Sequence, residues 1–135
     1  MTIDTDLAEL SRIADEIEEH GKANNWPNEW LFNVNLSLDE LVTNVISYGY
    51  AEGETTKNIQ LTLKVVNGSL WVVLVDDGIK FDPFSDAPAP DTDAPLEERQ
   101  IGGLGIFFVK SLVNETDYKR KDGKNYTTLI LHPST

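Results

Sequence analysis

Cysteine is absent from the 135 residues, which excludes disulfides and thiolate metal sites. Histidine is nearly absent: His20 and His132 lie far apart and form no metal-ligand motif, so no zinc site is expected. Cations are scarce, with 11 Lys and Arg against 23 Asp and Glu, a net charge of −12. Phosphate backbones and anionic membrane surfaces are both bound through Lys and Arg, so neither nucleic acid nor membrane is an expected partner. No apolar run approaches the roughly 20 residues that span a bilayer. The acidic start Met1-Thr2-Ile3-Asp4 lacks the basic and apolar regions of a signal peptide. The cytoplasm is therefore the expected address. An acidic protein that binds an anionic ligand needs local help: a metal ion, backbone N–H groups or a few placed cations.

What the chain does contain fits one domain over residues 1–135. Leu7, Leu10, Ile13, Ala14 and Ile17 recur at helical spacing, with Gly21 near the expected end of that helix. A second helix is expected to open at Asn25-Trp26-Pro27, with proline in its first turn, and to run to Tyr48-Gly49-Tyr50. Ile59, Leu61, Leu63 and Val65 alternate with polar residues, Asn67-Gly68 signals a hairpin, and residues 70–75 return as a nearly continuous apolar strand. Residues 79–101, with Pro83, Pro88, Pro90 and Pro95 among Asp, Ser and Ala, read as a long irregular connection, and such loops are usually functional or disordered. Residues 104–113 read as a helix. A strand over 116–121, a turn at Asp122-Gly123 and a strand over 125–131 follow. Two hairpins and three amphipathic helices predict an α+β two-layer sandwich: a mixed, mostly antiparallel sheet with the three helices on one face. The order does not supply the repeated strand–helix–strand crossovers of a dinucleotide fold.

The pattern breaks at three places. On the second helix an apolar line (Leu31, Val34, Leu38, Leu41, Val45) is opposed by a polar one (Asn33, Ser37, Glu40, Asn44, Ser47). That polar line can be a solvated face. It also sets Glu40 and Asn44 on neighbouring turns, where a carboxylate can take a proton and an amide oxygen suits Mg²⁺ beside phosphate oxygens. Asp76-Asp77-Gly78 follows an apolar strand directly. It can be a plain turn, or it can place the Asp76 carboxylate at the inner end of a pocket to accept from an exocyclic amine, with Gly78 allowing an unusual backbone angle or a close approach. Gly102-Gly103-Leu104-Gly105 precedes a helix. It can be a hinge, or an anion site in which backbone amides and the helix N-terminus converge on phosphate. No Gly-Lys-Ser/Thr follows, so it is not a Walker motif.

In this order and spacing the three stretches resemble the GHKL (Bergerat-fold) ATP-binding superfamily, and within it the anti-sigma-factor serine/threonine kinases. Asp39-Glu40-Leu41-Val42-Thr43-Asn44 is similar to the N box, Asp76-Asp77-Gly78 to the G1 box and Gly102-Gly103-Leu104-Gly105 to the G2 box. Phe81-Asp82-Pro83 is similar to the anti-sigma branch. The resemblance implies ATP and Mg²⁺ as cofactors, with Asn44 as the Mg²⁺ ligand, Asp76 on the adenine amino group and Gly78 beside the base. It implies that Gly102, Gly103, Leu104, Gly105 and the amide of Ile106 wrap the phosphates, as the hinge of an ATP lid over 79–101. It makes Glu40 the general base and Arg99 a γ-phosphate contact, with Lys80 and Lys110 as lesser candidates. The implied activity is phosphorylation of an anti-anti-sigma (STAS-type) protein on serine by a chain that also holds a sigma factor. An ATP-dependent regulatory binding module with little or no transfer is the alternative.

Three departures accompany the resemblance. Tyr48 stands where the family often has His. Lys80 stands where other members have a second glycine. The chain is also expected to start near its first helix, without the additional N-terminal strand of many relatives. Relatives commonly dimerise, so a homodimer is also among the expectations, though not one built on that strand.

Overall fold

The computed structural model describes residues 2–3, 9–48, 58–85 and 109–133. Its elements in chain order are β1 (Thr2–Ile3), α1 (Glu9–Ala23), α2 (Asn28–Tyr48), β2 (Ile59–Val66), β3 (Ser69–Asp76), β4 (Glu115–Lys121) and β5 (Lys124–Leu131). The strands form one sheet in the order β1-β2-β3-β5-β4, and every described ladder is antiparallel.

Local chemistry accounts for most boundaries. Asn67 and Gly68 have φ of 52° and 82°, and Asp122 and Gly123 have 53° and 75°. Two successive positive φ angles give the type I′ turn, whose twist matches that of the flanking strands. Pro27 stands one residue before α2, its carbonyl accepting from Trp30 N at 3.0 Å. The expected third helix is visible from Val109: residues 109–112 are helical, and Val113 N–H donates to Val109 O at 3.3 Å.

One expectation is corrected. An N-terminal strand is present, Thr2 opposite Gln60 and Ile3 opposite Ile59. Two residues are too few to display a period of two, so only the edge of β2 reveals them. Gly21 lies in the last turn of α1, near the helix end as expected; the helix closes at Ala23 and the left-handed Asn25, φ 56°, follows. Its role is close approach: a Cβ there would sit 2.3 Å from Leu31 Cδ2 of α2.

Alternation in the strands decides which face the helices cover. Ile59 and Leu61 of β2, Leu70, Val72 and Leu74 of β3, and Leu129 and Leu131 of β5 join one buried cluster with Ile13 and Ile17 of α1, Val34, Leu38 and Leu41 of α2, and Val109. Trp71, Val73, Tyr126 and Thr128 occupy the opposite positions and line the other face. No helix among the described residues is long and apolar enough to cross a membrane.

The buried face of α2 is testable. Leu38 is 1% exposed and Leu36 is 42% exposed. Leu38→Ala should cost about 2–5 kcal/mol in urea unfolding, and Leu36→Ala less than about 1 kcal/mol. Equal losses would place the wrong face of α2 against the sheet.

Candidate functional site

The inward line of the sheet is apolar until it reaches one end, where it turns polar. On β3 the sequence is Leu70, Val72, Leu74 and then Asp76; on β5, read backwards, it is Leu131, Leu129, Thr127 and then Asn125. The register sets Asp76 opposite Asn125 and Leu74 opposite Thr127. Asp76, Asn125 and Thr127 are only 3%, 2% and 4% exposed. Groups so placed need internal partners or a ligand.

Asp76 has internal partners. Its Oδ1 accepts from Gly78 N–H at 3.0 Å, closing an Asx turn, and from Asn125 Nδ2 at 2.9 Å. Burial pushes its carboxyl above the ordinary range; the Asn125 and Gly78 hydrogen bonds oppose this, Asp77 adds to it, and Arg120 opposes it. Asp77 has a different task. Its Oδ1 accepts from Asn58 N–H at 2.9 Å, and its own N–H donates to Asn58 O at 3.3 Å, latching the turn to the start of β2. Gly78 is not among the glycines with positive φ, so of the two expected uses only a close approach remains open to it. Arg120 Nη1 donates to its carbonyl at 2.7 Å.

From the other layer, α2 brings Asn44. The polar line on this helix is not a wet face throughout: Ser37 is fully buried and Asn44 is 4% exposed, while Glu40 is half-buried. Burial, then the neighbouring Asp39, raises the Glu40 carboxyl above its ordinary range. Asn44 and Asp76 line one cavity with Thr127, Asn125, Phe81 and Pro83. The cavity is small, about 10 Å³, room for the centre of one water. Phe81 and Pro83 close it. They belong to a segment held by a turn in which Asp82 Oδ1 accepts from Phe84 N–H at 2.9 Å and Ser85 N–H donates to Asp82 O at 3.2 Å. The first part of the expected irregular connection is thus ordered.

The structure therefore brings Asn44, Asp76 and the Gly78 turn to one end of the sandwich, with Glu40 one helical turn before Asn44. Arg99, Gly102, Gly103, Leu104, Gly105 and Ile106 lie outside the described residues, as does most of 79–101. Lys80 is exposed. Lys110 is tethered, its Nζ donating to Phe84 O at 3.1 Å. Sequence reasoning missed Asn125 and Thr127. Strand parity could have found them, because counting back in twos from Leu131 and pairing β5 with β3 sets residue 125 against residue 76.

A larger hollow of about 540 Å³ lies between α1 and β2, but its lining (Ile17, Leu61, Leu63, the half-buried Glu16 and the exposed His20 and Lys64) carries no buried polar group. The buried polar side chains gather at the small cavity instead.

Comparison with known proteins adds to this geometry. A family model described as the histidine kinase-like ATPase domain matches residues 3–131. The serine/threonine-protein kinase BtrW of Bordetella bronchiseptica is 28% identical over 98% of this chain and 96% of its own length. The serine-protein kinase RsbW of Halalkalibacterium halodurans is 27% identical over 67% of this chain, which spans 56% of that relative. In structure, the histidine kinase domain of the Erythrobacter litoralis EL346 blue-light activated histidine kinase superposes with a TM-score of 0.57 at 20% identity, covering 93% of this chain and 59% of that one. At that identity the likeness is one of fold.

The raised Asp76 carboxyl makes a stability prediction. A raised folded pKa means the proton favours the folded state. The contribution is complete below the unfolded value of about 3.9 and is lost as pH climbs through the folded value. Asp76→Asn keeps an acceptor oxygen and removes the titration. Its melting temperature relative to the parent should therefore rise between about pH 4 and neutrality. A difference that is flat with pH would mean that ionised Asp76 carries no burial penalty.

Proposed function

The chain belongs to the histidine kinase-like ATPase domain family, and from that premise we propose that it binds Mg-ATP at the Asn44–Asp76 cavity and transfers the γ-phosphoryl group to a serine of a partner protein, with Glu40 as general base. The observation that carries the reading is the convergence of two polar side chains from different layers, Asn44 of α2 and Asp76 of β3, both almost fully buried and facing one cavity. Helix packing does not require an amide there, and sheet packing does not require a carboxylate.

In this reading Asp76, held by Asn125 and Gly78, accepts from the exocyclic amine of adenine. The base is larger than the cavity, so its binding displaces Phe81 and Pro83. Among the described residues no group of three or more His, Cys, Asp or Glu could hold a metal. Asn44, 4% exposed and on the cavity, offers one hard neutral amide oxygen, which fits an ion of the Mg²⁺ kind that takes few protein oxygens and is completed by phosphate and water. Bound there, Mg²⁺ would neutralise phosphate charge. Residues 102–106 would supply backbone N–H groups to the phosphates, and Arg99 a cation. Glu40 would take the proton of the serine hydroxyl as its oxygen forms a bond to the γ-phosphorus and the bond from that phosphorus to the β–γ bridging oxygen breaks, leaving ADP. Its raised carboxyl suits a base that must also give up its proton near neutrality.

The matched kinases BtrW and RsbW favour a protein serine as acceptor, and the sequence resemblance favours an anti-anti-sigma (STAS-type) protein, with a sigma factor as a second partner. The alternative, a nucleotide-dependent binding module, differs in one measurable respect. Mixed with γ-labelled Mg-ATP and STAS-type proteins of the same genome, the chain should label a serine. Glu40→Ala should cut the transfer rate by about 10²–10⁴ and leave ATP affinity within a few-fold. Transfer at an undiminished rate in that variant removes the base assignment. Tight ATP binding with no labelled protein selects the binding module.

Asn44 is tested separately by calorimetry. Asn44→Ala should abolish the enhancement of ATP affinity by Mg²⁺ while leaving metal-free ATP binding close to the parent's. A retained enhancement rejects the ligand role.

A further inference from the structure

Asn125 is 2% exposed, and each polar atom of its side chain has two partners. Nδ2 donates to Asp76 Oδ1 at 2.9 Å and to Ile79 O at 2.7 Å. Oδ1 accepts from Phe81 N–H at 3.4 Å and from the Tyr118 hydroxyl. The orientation of this amide is fixed by chemistry. The Ile79 carbonyl can only accept and the Phe81 N–H can only donate, so a flipped amide would oppose like groups at both.

An N–H is consequently aimed at Asp76, and the Gly78 N–H, at 3.0 Å, is aimed at the same oxygen. Two donors converging on one carboxylate oxygen favour its ionised form. In its ionised form, which these donors favour against the opposing effect of burial, the side chain can receive a hydrogen bond from a ligand and cannot offer one. Purines divide on this property: a 6-amino group donates and a 6-oxo group accepts.

We propose that Asn125 is a positioning residue that, through its N–H bond, keeps Asp76 an acceptor toward the cavity and thereby makes the site choose a 6-amino purine over a 6-oxo purine. The inference rests on the nucleotide reading of the cavity and assigns base choice to a residue on the last strand. The β4–β5 hairpin acts as a clamp on the turn after β3. Tyr118 steadies Asn125, Asn125 holds Asp76, Ile79 and Phe81, and Arg120 holds Gly78 O.

The test compares dissociation constants for ATP and ITP, which differ at the 6-position and keep the same triphosphate. The full chain is titrated calorimetrically as parent, as Asn125→Asp and as Asp76→Asn, with folding checked by circular dichroism. Asn125→Asp conserves size and puts a second carboxyl against the first. Such a pair does not readily ionise twice, so one member keeps a proton and can donate to a 6-oxo group. The preference for ATP over ITP should fall roughly tenfold, the worth of one charged hydrogen bond, and fall further at mildly acid pH than at alkaline pH. A merely structural role would weaken both nucleotides together and leave the ratio and its pH dependence alone.

A folded Asn125→Asp with the parent's ratio overturns the proposal. If that variant does not fold, Tyr118→Phe decides. It frees one side of the Asn125 amide, and the ratio should fall about threefold; a parental ratio there overturns the proposal equally. The underlying reading fails in a different way: the parent shows no preference for ATP, or Asp76→Asn retains it. Loss of preference in Asp76→Asn together with a parental ratio in Asn125→Asp sinks the Asn125 role alone.

Discussion

Taking a carboxylate out of water costs several kcal/mol unless donors replace the lost hydration, and Asp76 is 3% exposed. The neighbourhood is organised around that demand. Gly78 and Asn125 donate to one of its oxygens, Arg120 secures the turn that carries Gly78, and Asp77 ties the same turn to Asn58. Because Asn125 is four-fold occupied, the end of β3, the start of β5 and residues 79–81 share one set of hydrogen bonds. The burial that raises the Asp76 carboxyl also removes competing water from whatever it binds.

The two layers meet this constraint differently. The sheet carries its polar residues at one end of otherwise apolar inward lines, so three strand positions change character without disturbing the ladder. The helix layer reaches the same end through α2, which buries Val34, Leu38 and Leu41 along most of its length and Asn44 near its last turn. Close packing of α1 against α2 at Gly21 and Leu31 fixes where that last turn arrives. A side chain larger than hydrogen at position 21 would have to displace Leu31 and, with it, the approach of the two helices.

Much of this was legible in the chain. Asn67-Gly68 and Asp122-Gly123 announced both hairpins, because only residues tolerant of positive φ close a type I′ turn. Helical spacing located α1 and α2 and separated the apolar from the polar side of α2. What spacing could not tell was whether the polar side faced water, since that depends on what the sheet sets opposite; Ser37 and Asn44 are buried while Asn33 and Glu40 are only partly so. β1 went unread because two residues carry no period, and the close approach at Gly21 went unread because a glycine's packing role is invisible without its neighbour. At the site, Asp76 stood out as an acid directly after an apolar strand, and Asn44 through its four-residue spacing from Glu40 on the polar line of α2. Asn125 did not: it was one more polar residue at the start of the expected strand 125–131, and its meaning is set by pairing across β3.

Phe81 and Pro83 stand in the wall of the cavity. If a base binds here as proposed, a side chain tethered five residues beyond Asp76 is present at a constant, high effective concentration and would compete with it for the same space. Observed affinity is then intrinsic affinity divided among open and self-filled molecules. Under that reading the discount would fall equally on every nucleotide and so would set the concentration at which the site fills without altering which nucleotide it prefers. It would also slow association below the encounter rate, since each arrival would wait for the aromatic ring to leave.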